Sequence, residues 1–265
     1  MLLRWRLVIV GALVALAALA WWWTGARMAG MDAGPGTDPG TLGFFLTTWV
    51  VMMAAMMFPS IAPMVVAYAG LARGRRERGL GDGRGATPAF VASYLLLWAL
   101  AGLLGYAALE LGRGLGGGFL AWHHAGRYAA GAVLAAAAIY QFTPLKHACL
   151  RRCRAPLGFL VTEWREGRGG ALRMGALHGA WCLGCCWALM AGLFALGAMS
   201  VPWMVVIAVL VAAEKLLPWG AVAGAGVAAV LAALAIGVAA APAQVPGLTI
   251  PSHGMGMPAM TRAMR

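Results

Sequence analysis

Between Arg173 and Glu214 the chain carries no Asp, Glu, Lys or Arg, and inside that apolar stretch the segment WCLGCCWALM places Cys182, Cys185 and Cys186. Read as a helix, the segment puts His178, Cys182 and Cys185 at i, i+4 and i+7, with Cys186 and Met190 beside the same stripe. One face then presents an imidazole, thiols and a thioether. Soft donors of this kind suit Cu(I) or Zn(II), whereas Mg(II) and Ca(II) call for oxygens that the segment lacks. Free Cys and Met are also commonly buried as small or adaptable hydrophobes. A single cysteine would read as packing; three with a histidine on one face read as a ligand set.

Two further groups carry sulfur. In TWVVMMAAMMFPSIAPM, Met52, Met53, Met56 and Met57 precede Pro59 and Pro63. Each proline leaves a carbonyl four residues earlier without its helical donor, which predicts a kink and a cavity near thioethers able to hold Cu(I). A methionine stripe taken alone is packing material. In KHACLRRCR, read as a helix, Cys149 and Cys153 stand one turn apart beside His147, and the neighbouring Lys146, Arg151, Arg152 and Arg154 favour thiolates; equally, these basic residues can serve only to anchor the helix end, with the thiols incidental. The spacing is not that of a zinc finger, which needs two short Cys/His pairs.

Other donors stand outside these runs: His123 and His124, and the tail SHGMGMPAMTRAM with His253, Met255, Met257, Met260 and Met264. A short flexible His/Met tail suits loose capture of copper. In AAEKLLPWG, Glu214 and Lys215 are adjacent and so point about 100° apart on a helix. They are expected to meet separate partners or to snorkel.

The elements that must position these groups are membrane spans. The composition is 62% hydrophobic and 11% charged, with a mean hydropathy of +0.81, outside the range of a soluble domain. Apolar runs long enough to cross a hydrocarbon core lie at 7–23, 43–69, 88–109, 125–142, 174–199 and 218–240, with a shorter one at 202–217. The fold class expected is all-α, a polytopic transmembrane bundle of about seven spans. The net charge of +12 sits in short basic segments between these runs, so it reads as positive-inside bias and not as a nucleic-acid surface. Arg4 and Arg6, the run from Arg73 to Arg84 and the run from Lys146 to Arg173 fall on the cytoplasmic side, giving N-terminus in and C-terminus out. Residues 1–240 form one transmembrane domain and 241–265 a flexible tail. The N-terminal run would also pass as a signal peptide, but Trp21, Trp22 and Trp23 read as an interfacial belt of a retained span. By helical rise, Met53 lies about 15 Å below the outer end of its span and Cys182 about 13 Å above Arg173, so the two sulfur groups share mid-depth in a core of about 30 Å.

The ordered set MMAAMMFPSIAP, CLRRCRAP, CLGCCWALM and EKLLPWG, over residues 49–219, resembles the bacterial domain-of-unknown-function family of predicted metal-binding integral membrane proteins, some of whose members are labelled copper chaperones. Met52, Met53, Met56, Met57, Cys149, Cys153, Cys182, Cys185, Cys186, Glu214 and Lys215 match its motifs. The resemblance implies a metal-binding membrane bundle; His178 and the tail are not part of it.

The expectation is therefore a multi-pass protein of the bacterial inner membrane that binds a thiophilic metal, Cu(I) first and Zn(II) second, for delivery, sequestration or transfer. Its partners are the metal ion, the lipid bilayer and a periplasmic or cytoplasmic metallochaperone, not nucleic acid. The expected ligands are Cys182, Cys185, Cys186, His178, Met52, Met53, Met56, Met57, Cys149 and Cys153. No phosphate-binding loop of the Walker type is present, which argues against ATP-driven pumping by this chain alone. Two alternatives stand beside this reading. One is a membrane thiol-disulfide oxidoreductase using Cys182 and Cys185 with a quinone, for which an outer-face thiol is missing. The other is a scaffold or assembly partner whose thiols only pack.

Overall fold

The structure, a computed structural model, describes residues 2–29, 34, 38–80, 85–115, 122–217 and 219–250, and among them there is no strand. The His/Met tail and the side chains of His123 and His124 lie outside the described residues. Nine α-helices follow in chain order among the described residues: α1 Leu2–Met28, α2 Leu42–Glu77, α3 Ala86–Leu115, α4 Arg127–Tyr140, α5 Pro144–Arg154, α6 Pro156–Glu163, α7 Gly167–Leu196, α8 Val201–Leu216 and α9 Gly220–Ala240. A π-helical turn, Trp122–Gly126, leads into α4. All-helical structure suits long apolar runs in lipid, because a helix satisfies its backbone donors and acceptors within one segment.

Among the described residues five helices are long and apolar enough to cross a membrane, and a sixth crossing arises if α4 and α5, bent by 67° at a short break, count as one span. The seven spans expected from the sequence require α8 as well, which at 16 residues rises about 24 Å.

The basic segments gather at one end of the bundle. Arg75, near the end of α2, pairs with Glu166 just ahead of α7, and Gly70 lies against the ring of Trp5 in α1. At the opposite end Met28, Phe45, Thr48, Ala198 and Met199 line a common apolar hollow.

Three local features position the centre. First, α3 and α7 approach closely at Gly175, where any Cβ would collide with the backbone oxygen of Phe90. Small residues permit this closeness, and it sets the next turns of α7 against Phe90 and Tyr94. Second, the chain breaks after α4: Thr143 caps α5 by accepting from Lys146 N at 3.3 Å, and Pro144 occupies the first turn, where its missing N–H costs nothing. The bend turns α5 inward onto α7. Third, α2 runs unbroken through Pro59 and Pro63, so the prolines withhold two backbone donors without ending the helix.

Candidate metal centre

Cysteines of α5 and α7 meet where the end of α8 joins them. Cys153 Sγ lies 3.8 Å from Cys185 Sγ, and Cys185 Sγ lies 3.4 Å from Cys186 Sγ. Cys185 also donates to the carbonyl oxygen of Cys182 at 3.1 Å, a bond from a helical cysteine to the preceding turn. Cys182 Sγ takes two partners: Tyr94 Oη at 3.0 Å and Lys215 Nζ at 2.9 Å. Cys182, Cys185 and Cys186 are buried, Cys153 is half-buried, and all four are free thiols. Among the described residues, however, no three His, Cys, Asp or Glu side chains are disposed round one point as a finished metal site. The sulfurs form a chain through Cys185, with Cys182 turned toward a phenol and an ammonium.

The remaining expected ligands divide by position. His178 is buried on α7 one turn before Cys182. Its ring packs edge-on to Phe159 with centroids 5.6 Å apart, and between Phe90 and Tyr94 at 6.0 Å each. Its Nδ1 has no hydrogen-bond partner, which a satisfied core histidine would have. Cys149 is buried on α5, and its sulfur packs on Gly184, where a Cβ would stand 2.7 Å away. Among the methionines, all four buried, Met57 reaches the cluster through Lys215, whose Nζ is 3.8 Å from Met57 Sδ. Met52 belongs to the apolar hollow with Met28 and Met199 at the other end. Met53 and Met56 lie in the core between them. Helices α2 and α7 thus meet through side chains: Trp49 stacks on Phe194 at 5.2 Å, and Lys215 bridges Met57 and Cys182.

The charged groups sort themselves as their angular separation requires. Glu214 turns to Lys146 of α5, with Nζ 2.7 Å from Oε2 and both side chains buried, while Lys215 turns to Cys182. The sequence reading of adjacent residues with separate partners therefore holds. The basic residues of α5 do not act as one thiolate-favouring group: Lys146 is committed to Glu214, Arg154 donates to the backbone oxygen of Leu217, and Arg152 lies over the Trp181 ring, 4.0 Å from its centroid.

Tyr94 and Ser60 were not legible as site residues. Tyr94 sits in the apolar run of α3 with no polar neighbour in sequence except Ser93, and its role appears only when Gly175 lets α7 approach. Ser60 accepts from Lys215 at 3.5 Å while donating to Met57 O at 2.9 Å.

Long apolar helices packed round cysteines at the middle of the bundle define a class: a polytopic α-helical protein with a central thiol cluster. Within that class the chain belongs to the PpoB2 copper chaperone family, whose model matches residues 46–238. This agrees with the resemblance seen in the four ordered motifs. No curated protein and no solved structure matches the chain.

Proposed function

We propose that this protein holds Cu(I) as cargo within a bacterial inner membrane, on Cys153, Cys185 and Cys186 with Cys182 joining as the site fills, and passes it to a protein partner. The observation that carries this reading is the pair Cys153 and Cys185, contributed by different helices with sulfurs 3.8 Å apart. Two sulfurs each about 2.3 Å from one ion at a tetrahedral angle stand about 3.8 Å apart, so this separation suits two thiolates on one metal. Family membership supports copper as the ion. The sulfur donors, with no carboxylate among them, support a soft monovalent ion over a hard divalent one.

Loading a chain of thiols needs only local motion. Cys182 must swing from Tyr94 toward Cys185, and its place one turn along the same helix permits that by rotation about χ1. A site completed by its cargo binds reversibly, as delivery requires. The half-buried Cys153 is the least enclosed of the four and therefore the first point of exchange with a carrier. Beside it a groove opens between the end of α5, α6 and the middle of α7, lined by Arg151, Arg152, Phe159, Glu163 and Trp181, and supports approach from the basic, cytoplasmic side.

The test is the metal content of detergent-purified protein loaded with Cu(I) and passed over a competing chelator. Wild type is expected to retain copper, and the Cys182→Ser, Cys185→Ser, Cys186→Ser variant to retain none while eluting as wild type does. Equal copper in both would end the proposal. Copper-free wild type with a reversible disulfide among these residues would favour thiol-disulfide exchange instead.

A further inference from the structure

Lys215, half-buried near the end of α8, brings a positive charge to the thiol cluster, and among the described residues its Nζ forms no ion pair with a carboxylate. Its Nζ contacts Cys182 Sγ at 2.9 Å, Ser60 Oγ at 3.5 Å and Met57 Sδ at 3.8 Å, whereas its neighbour Glu214 is committed to Lys146. An ammonium inside an apolar helical bundle is costly unless an anion accompanies it. The group able to carry negative charge that its Nζ touches is the thiol of Cys182, which also meets the phenol of Tyr94; the carboxylate of Glu214 lies within electrostatic reach but is paired with Lys146. Thiolates are also the form in which cysteines bind a metal.

We propose that Lys215 is the built-in counter-cation of the loaded site, neutralising the excess negative charge of a Cu(I) thiolate complex that includes Cys182. The inference rests on the copper reading above. The charges balance when two of the four cysteines, Cys182 among them, bind as thiolates and the others stay protonated: two thiolates on one monovalent ion leave one negative charge, which the ammonium cancels, and the two protons displaced by the metal leave to water or to the carrier. Lys215 touches a ligand without being one, since an ammonium has no lone pair to offer. It acts by placing charge beside sulfur. Glu214 and Lys146 already cancel each other, so they leave Lys215 as the cation free to do this. Its contacts to Ser60 and Met57 fix the ammonium between α2 and α7 and keep it from leaving for the interface.

The experiment compares Cu(I) affinity in wild type, Lys215→Leu and Lys215→Arg by competition with a chromophoric Cu(I) chelator in detergent. Leucine removes the charge without adding a sulfur donor; arginine keeps the charge. A cation a few ångströms from an anionic complex in a poorly solvated site predicts that Lys215→Leu weakens Cu(I) binding by about tenfold or more, with Lys215→Arg much closer to wild type. Unchanged or tighter binding by Lys215→Leu overturns the proposal, as does an equal loss in both variants, which would mark a role in shape alone. If Lys215→Leu does not elute as folded protein, Lys215→Gln, which retains donors for Ser60 and Cys182, decides on the same criterion. Wild type that takes up no Cu(I) overturns the copper reading and this inference with it; copper-binding wild type matched by Lys215→Leu overturns the inference alone.

Discussion

Lys146 of α5 and Glu214 of α8 form a buried ion pair, Nζ to Oε2 at 2.7 Å, with side-chain exposures of 2% and 1%. The pair joins the inward-bent helix that carries Cys149 and Cys153 to the helix that carries Lys215. It holds two of the three elements of the thiol cluster at fixed separation. Removing one partner leaves an uncompensated charge where water cannot reach it, whereas replacing both with apolar groups removes the desolvation cost as well.

Lys146→Met is therefore expected to destabilise the protein by about 3–5 kcal/mol, and Glu214→Leu by a similar amount. The double variant should be clearly more stable than either single one. Denaturant unfolding in detergent, followed by tryptophan fluorescence, measures all three. Double-variant losses equal to the sum of the singles would show that the two residues act independently, contrary to the geometry.

Cys149 and Cys153 are one turn apart on α5 yet differ in surroundings. Cys149 packs on Gly184, while Cys153 Sγ faces Cys185. Cys153→Ser is expected to lower copper retention strongly, and Cys149→Ala to leave it near wild type. Gly184→Ala should cost about 1–3 kcal/mol of stability by overpacking against the Cys149 sulfur, and the added Cys149→Ala should restore most of that. Equal copper loss from both cysteine variants would return Cys149 to the ligand set.

The helices and the sulfur-bearing turns were legible because each depends on local information: apolar runs of span length, and the periodicity that gathers His178, Cys182 and Cys185 on one face. The inward turn of α5 left a local mark in Thr143 and Pro144, a helix cap followed by a residue fixed for the first turn. Its 67° bend, which decides that Cys153 and not Cys149 faces Cys185, depends on packing against α7. The pairing of Glu214 with Lys146 joins residues 68 positions apart, and no spacing rule reaches that far. Tyr94 lay beyond reach for the same reason: its contact with Cys182 spans 88 positions and exists because a glycine on α7 admits α3. The methionine stripe was read as one unit because helical neighbours share a face, but a helix of 36 residues is long enough to place Met52 and Met57 in different environments.

Four cysteines are buried and Cys153 alone is half-buried, at the end of α5 beside Arg152 and Arg154. The orientation proposed from the positive-inside bias puts that end on the cytoplasmic side. A membrane-impermeant thiol reagent is expected to label intact spheroplasts little and inverted vesicles more, with the vesicle signal lost in Cys153→Ser. The reverse pattern would invert the orientation and put the point of metal exchange on the outer side.

Met57 and Met52 test whether the thioethers of α2 take part in the site. Met57 Sδ lies 3.8 Å from the ammonium that contacts Cys182, whereas Met52 lines the hollow formed with Met28, Trp49 and Met199 at the far end. Five residues of helix separate them by about 7.5 Å along the axis, more than a Cu(I) coordination sphere spans. Leucine conserves volume and removes sulfur, and such swaps in a core cost under about 1.5 kcal/mol, so either substitution leaves the bundle folded. Met57→Leu is expected to weaken Cu(I) binding several-fold and Met52→Leu to leave it unchanged, both read by chelator competition. X-ray absorption at the copper edge adds a second readout: an unchanged copper-sulfur shell in Met57→Leu shows that this thioether acts through the Lys215 ammonium and not as a ligand. If Met52→Leu weakened binding and Met57→Leu did not, the site would lie nearer the opposite end of the bundle, and the thiol cluster would have to be read as packing.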